Sequence, residues 1–208
     1  ISGGVSDDAN PATNQIKLSS LSTPSQIDSI LVAENENDSD RDRLSYNLNY
    51  RFEDRKSGQT LNIDLDYGTF GNEVERFQPN RYFNVEGDLL TENISSFSTP
   101  SDIDIYTFKA DYEKEVWGGK LGIGTKLSQV ISDNTFLVSD QINGESIQND
   151  ARSNTFKYDE KVFAGYVSFN RPINKKMNFS AGLRAEQTDA VGNLQAFLVN
   201  LQEPPVEL

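Results

Sequence analysis

Strict alternation of apolar and polar residues constrains this chain more than any other feature. In RLSYNLNYRF, residues 43–52, the side chains Leu44, Tyr46, Leu48, Tyr50 and Phe52 alternate with Ser45, Asn47, Asn49 and Arg51. A period of two places the first set on one face of an extended strand and the second set on the other. One face is dry and one is wet. What the dry face touches decides the class of protein: the core of a sandwich or the hydrocarbon of a membrane.

The same pattern recurs. LNIDLDYGTF sets Leu61, Ile63, Leu65 and Tyr67 against Asn62, Asp64 and Asp66. DIDIYTFKADYEKEV sets Tyr106, Phe108, Ala110 and Tyr112 against Thr107, Lys109 and Asp111. LGIGTKLSQVI and MNFSAGLRAEQ follow suit, with Leu121, Ile123, Thr125 and Leu127 on one dry face and Met177, Phe179, Ala181 and Leu183 on the other. In FKYDEKVFAGYVSFN both parities carry apolar residues, and Val162, Ala164 and Tyr166 are taken as the dry face over Phe163, Val167 and Phe169. The spacing predicts strands over about 43–54, 59–70, 102–114, 119–131, 155–170 and 176–188. They form three hairpins with short turns near 54–59, 115–119 and 171–176. Residues 1–40 and 189–208 read as loop-like ends, with an extra strand near QIDSILVAE. The segments 71–101 and 132–154, polar and without alternation, read as long loops.

The fold class expected is therefore all-β: an antiparallel up-and-down meander of six to seven long strands. Short and long connections that alternate suit an outer-membrane barrel, whose two ends face different compartments. The expected strands also match the roughly 9–11 residues a tilted spanning strand needs. Aromatics near strand ends, Phe52, Tyr67, Tyr106, Tyr112 and Trp117, suit an interfacial girdle. With 36% hydrophobic residues, no run approaches the ~20 apolar residues of a membrane helix.

Composition narrows the chemistry. Cysteine and histidine are both absent, which removes thiolate chemistry, disulfides and the commonest general base and metal ligand. A net charge of −13 argues against nucleic acid as a partner. No catalytic or cofactor-binding residue is assigned, and the chain is read as non-enzymatic. GGKLGIGTK has Lys126 after Thr125 rather than before it, and a strand instead of a helix, so it is not a phosphate loop. Asp38, Asp40 and Asp42 are the weak metal candidates; Arg43 stands where a calcium loop needs Gly, and Asn49 where it needs Glu. Asp64/Asp66 and Asp102/Asp104 each share a strand face, better read as hydrated lining than as a glycosidase pair.

Four stretches resemble the barrels of Bacteroidetes outer-membrane proteins related to TonB-dependent receptors. They are Asp104 to Tyr112 (with Ile105 inserted before Tyr106), Leu121 to Lys126, Phe156 to Tyr166 and Gly182 to Thr188, within a similarity over residues 41–192. The resemblance implies a barrel of about 22 strands with a plugged lumen, of which this chain would supply a middle portion. It also implies nutrient uptake or surface ligand binding in the outer membrane, with lipid, a plug domain and the TonB complex as partners. Asn47, Arg51, Asp64, Asp66, Lys109, Asp111, Lys126, Arg184 and Glu186 would then face the lumen, and Leu44, Leu48, Leu65, Phe108, Ile123, Phe179 and Leu183 the lipid. Aromatics in the long segments, Phe70, Phe77, Tyr82, Phe83, Phe97 and Phe136, are candidates for ligand contact or for pinning loops together. The isolated chain is expected to hide its apolar face by self-association or by curling. The rival reading is a secreted β-sandwich or adhesin module, with Leu44, Leu65, Phe108, Ile123 and Phe179 sealed between two sheets.

Overall fold

A computed structural model describes residues 2–19 and 26–198. They form one antiparallel sheet of nine strands: β1 (Ser2–Leu18), β2 (Ser29–Asp54), β3 (Gln59–Phe83), β4 (Leu89–Ser98), β5 (Ser101–Val116), β6 (Gly119–Ile142), β7 (Glu145–Gln148), β8 (Asn154–Asn174) and β9 (Met177–Ala196). Both β4 and β5 pair with β3 on one side and β6 on the other. They are two segments of a single path, interrupted at Thr99–Pro100. Pro100 has no N–H to donate, yet the ladder closes around it. Thr99 donates its N–H to the Val74 carbonyl at 2.9 Å, and the Pro100 carbonyl accepts from the Thr135 N–H at 2.9 Å. β7 and β8 likewise succeed one another along β6. The sheet thus has seven paths in sequence order, an up-and-down meander.

The strands run much further than the alternation does. The expected loops 71–101 and 132–154 are mostly extensions of β3 and β6 plus β4 and β7. The loop-like end 1–40 holds β1 and the first part of β2, which takes in the extra strand expected near QIDSILVAE. β9 continues past 189 to Ala196, and residues 199–208 lie outside the described part. These are corrections with one physical cause. A strand with water on both faces has no dry side, so its sequence loses the period of two, while backbone pairing with its neighbours holds it extended.

Connection lengths need the same correction. Trp117 and Gly118 form a two-residue turn at φ 53° and 69°, and Asn143 and Gly144 form another at 54° and 84°. Positive φ at both central residues matches the right-handed twist of the flanking strands. The first closes the lower end of the sheet and the second the upper end. The upper connection between β3 and β4 spans only 84–88. Length at the upper end therefore resides in ribbon rather than in loop.

One layer of sheet leaves almost no core. Among the described residues the buried apolar side chains are Val138 and Ala164, at 0% and 4% exposure, and Pro79. Leu65, Ile123 and Phe179 are 45%, 49% and 49% exposed. A second sheet covering them, as the sandwich reading requires, is absent among the described residues.

Candidate functional site

Cross-strand register turns the separate alternations into two continuous faces, because residues directly opposite in an antiparallel ladder point the same way. Leu48, Leu65, Phe108, Leu127 and Phe163 form one row across β2, β3, β5, β6 and β8. Two residues lower lie Tyr50, Ile63, Ala110, Thr125 and Gly165, then Phe52, Leu61, Tyr112, Ile123, Val167 and Leu183. Leu44 and Phe179 lie on this same apolar face. In β8 it is Phe163, Val167 and Phe169 that belong here. Val162, Ala164 and Tyr166, taken from the sequence as the dry side, lie on the polar one. Within β8 the two parities are equally apolar, and only pairing with Leu127, Ile123 and Leu121 separates them.

A tyrosine row bounds the apolar face above. Tyr46, Tyr67 and Tyr106 sit side by side, with ring centroids 6.3 Å and 5.0 Å apart. From Tyr46 down to Asp54 is nine residues. At ~3.3 Å per residue and a tilt near 40° that spans roughly 23 Å, close to the ~25 Å apolar band of membrane barrels. Trp117, 80% exposed in the lower turn, packs edge-on against Phe169 at 6.3 Å. Above the tyrosines the same side turns acidic. Asp38, Asp40 and Asp42 lie there, and Asp40 and Asp38 together push the carboxyl of Asp7 above its ordinary range. No group of three or more metal-ligating side chains is assembled among the described residues.

A match to the family model described as the outer membrane protein beta-barrel family covers residues 51–202, nearly three quarters of the chain. The chain belongs to the outer membrane β-barrel family. No curated protein matches it. Its location is the outer membrane, and its meander is the segment of a barrel wall.

The polar face of this barrel wall collects all nine polar residues singled out in the sequence, over the same height as the apolar band. Asn47 donates to Asp66 and Asn49 to Asp64, each at 2.6 Å, so both carboxylates are capped by cross-strand amides. Lys109 pairs with Asp111 at 2.6 Å, and Arg184 donates through Nε to Glu186 at 3.1 Å. Tyr166 lies flat over Gly124 and reaches across β6 to donate its hydroxyl to Asp111 on β5. The Arg184 guanidinium sits 5.7 Å from the Tyr166 ring centre. The space over Gly122 and Gly124 is filled by side chains: Tyr166 over Gly124 and the Ser168 hydroxyl over Gly122. That network was invisible in the sequence, since it needs the offset between β6 and β8.

A second node holds the upper ribbons. Asp140 accepts from Ser95 at 2.7 Å, Asn149 at 2.7 Å and Arg152 at 3.1 Å. The amide and hydroxyl bonds, with Arg152 beside them, hold its carboxyl below the usual range. Ser153 accepts from the Val138 N–H at 2.9 Å and donates to the Asn149 carbonyl at 2.8 Å, folding the 149–153 turn onto β6. Arg152 lies 5.8 Å from the centre of Phe97, which packs on Phe136 at 6.0 Å. Phe97 and Phe136 thus pin ribbon to ribbon.

Proposed function

We propose that this chain forms part of the wall of an outer-membrane receptor or transporter of the TonB-dependent type, serving nutrient uptake or surface ligand binding. The observation that carries the reading is the coincidence in height of two bands. Where one face is apolar and bounded by tyrosines, the other is lined by paired carboxylates, lysines and arginines. A charged inner face of that kind suits a wide lumen filled by water or a plug, rather than a small barrel filled with its own side chains. In this reading Leu48, Leu65, Phe108, Ile123, Phe179 and Leu183 meet lipid, and Arg51, Lys109, Lys126 and Arg184 meet the lumen or the plug. The role is binding and passage, without catalysis.

The absence of native cysteine makes the assignment of faces testable. Single cysteines replacing Lys126 or Asp66 should react with a hydrophilic maleimide in outer-membrane vesicles. Those replacing Leu48 or Leu65 should resist it. The reverse pattern would overturn the spanning orientation. For the receptor role, deleting the barrel gene and disabling the TonB complex should produce the same uptake defect. Unchanged uptake of glycans, peptides and metal chelates in the deletion would refute it.

A further inference from the structure

A concavity of about 380 Å³ opens on the polar face where β5, β6, β8 and β9 meet, lined by Lys109, Lys126, Tyr166, Ser168, Gly182 and Arg184. Val167 and Leu183 border it as well, and Lys109, Lys126 and Arg184 supply its cationic groups. We propose that it binds an anionic group, a carboxylate or a phosphate, with Lys126 as the principal contact. The proposal deepens the receptor reading by naming a class of solute.

Lys109 and Lys126 stand directly opposite one another in the ladder. Like charges in that relation are unfavourable unless something neutralises them. Asp111 neutralises Lys109 at 2.6 Å. Lys126 has no ion pair or hydrogen bond among the described residues, and it is only half-buried. Among the described residues no carboxylate lines the concavity. Asp111 and Glu186 are engaged with Lys109, Tyr166 and Arg184, and Asp64, opposite Lys109, accepts from Asn49. Arg184 is anchored to Glu186 through Nε and one terminal nitrogen, which leaves further donors of its planar fork free. A surplus ammonium beside a held guanidinium matches the oxygens of a carboxylate or phosphate.

The test uses the protein folded in detergent micelles with its lysines carbon-13 methylated. The probes are inorganic phosphate and succinate, titrated separately against potassium chloride at matched ionic strength. The Lys126 signal, identified by its loss in Lys126→Gln, should shift saturably with one or both probes. Lys175, in a lower turn, should move only as it does with chloride. Read through Lys109, Lys126→Gln should weaken binding about tenfold, the size of one charge-assisted contact, and Lys126→Arg should preserve it. Gly182→Asp should abolish it by placing a carboxylate in the concavity; an added Cβ there sits a tight 3.3 Å from the Val167 carbonyl oxygen, so Gly182→Ala is the steric control and should retain binding. Equal shifts with chloride, or undiminished binding in Gly182→Asp, would overturn the site. A correct cysteine map with no anion binding sinks this site alone, whereas a reversed map sinks the receptor reading.

Discussion

Replacing Gly124 with alanine should break the bond between Tyr166 and Asp111. A Cβ built on Gly124 would lie 2.3 Å from Cζ, 2.4 Å from the hydroxyl oxygen and 2.5 Å from Cε2 of Tyr166. Carbon atoms rest about 3.5–4.0 Å apart, so the ring must move by more than about 1 Å. The hydroxyl is tied to Asp111 on the far side of β6, and a displacement of that size removes it from hydrogen-bonding distance. A bond to a charged acceptor contributes roughly 1.5–3 kcal/mol, and the lower end applies to a face open to water. Alanine recovers about 0.5–1 kcal/mol of backbone entropy relative to glycine. The net expected loss is therefore ~1 kcal/mol. Urea unfolding of the protein in detergent micelles, followed by tryptophan fluorescence, measures it. The cause is isolated by a double-mutant cycle. With Tyr166→Ala already present, Gly124→Ala should cost nothing or stabilise slightly, giving a coupling well above the ~0.3–0.5 kcal/mol scatter of independent sites. Additive effects would refute the claim that Tyr166 is seated on Gly124.

Three further outcomes are expected. Ile63→Arg, in the middle row of the apolar band, should lower folding stability in bilayers by about 2–4 kcal/mol, while Ser128→Arg on the other face changes it far less; equilibrium folding into liposomes compares them. The Asp140 node should be pH-sensitive. Because the folded-state pKa lies below the ordinary 3.8, its stabilisation is complete above that value and is lost as pH falls through the folded pKa. Hydrogen exchange at the Val138 amide should accelerate there at low pH, and at neutral pH in Asp140→Ala. Without lipid or detergent, the chain should self-associate through its apolar face, and analytical ultracentrifugation showing a monomer at high concentration would count against it.

Legibility in the sequence followed the membrane band. Where Leu44 to Phe52 or Tyr106 to Tyr112 have unlike surroundings on their two sides, the residues record it, and strand, period and face can be read directly. In Asp7 to Asn14 or Gly71 to Phe77 both sides meet water. The same backbone geometry then leaves no periodic trace, and ribbons look like loops. β8 failed in the opposite way. Val162, Ala164 and Tyr166 are as apolar as Phe163, Val167 and Phe169, because a tyrosine seated on glycine and an alanine at 4% exposure also suit the polar face.

The sequence by itself determined which segments alternate, which side is dry in every alternating strand but β8, and that neither thiol nor imidazole chemistry is available. Those properties are local, set by successive side chains pointing to opposite sides of a strand. Tertiary structure alone decided that the dry sides join into one bounded band, that Tyr166 lands on Gly124 and reaches Asp111, and that Lys126 faces Lys109 with no counter-ion among the described residues. Such relations depend on register between strands far apart in the chain, and a shift of one residue would move every side chain to the opposite face.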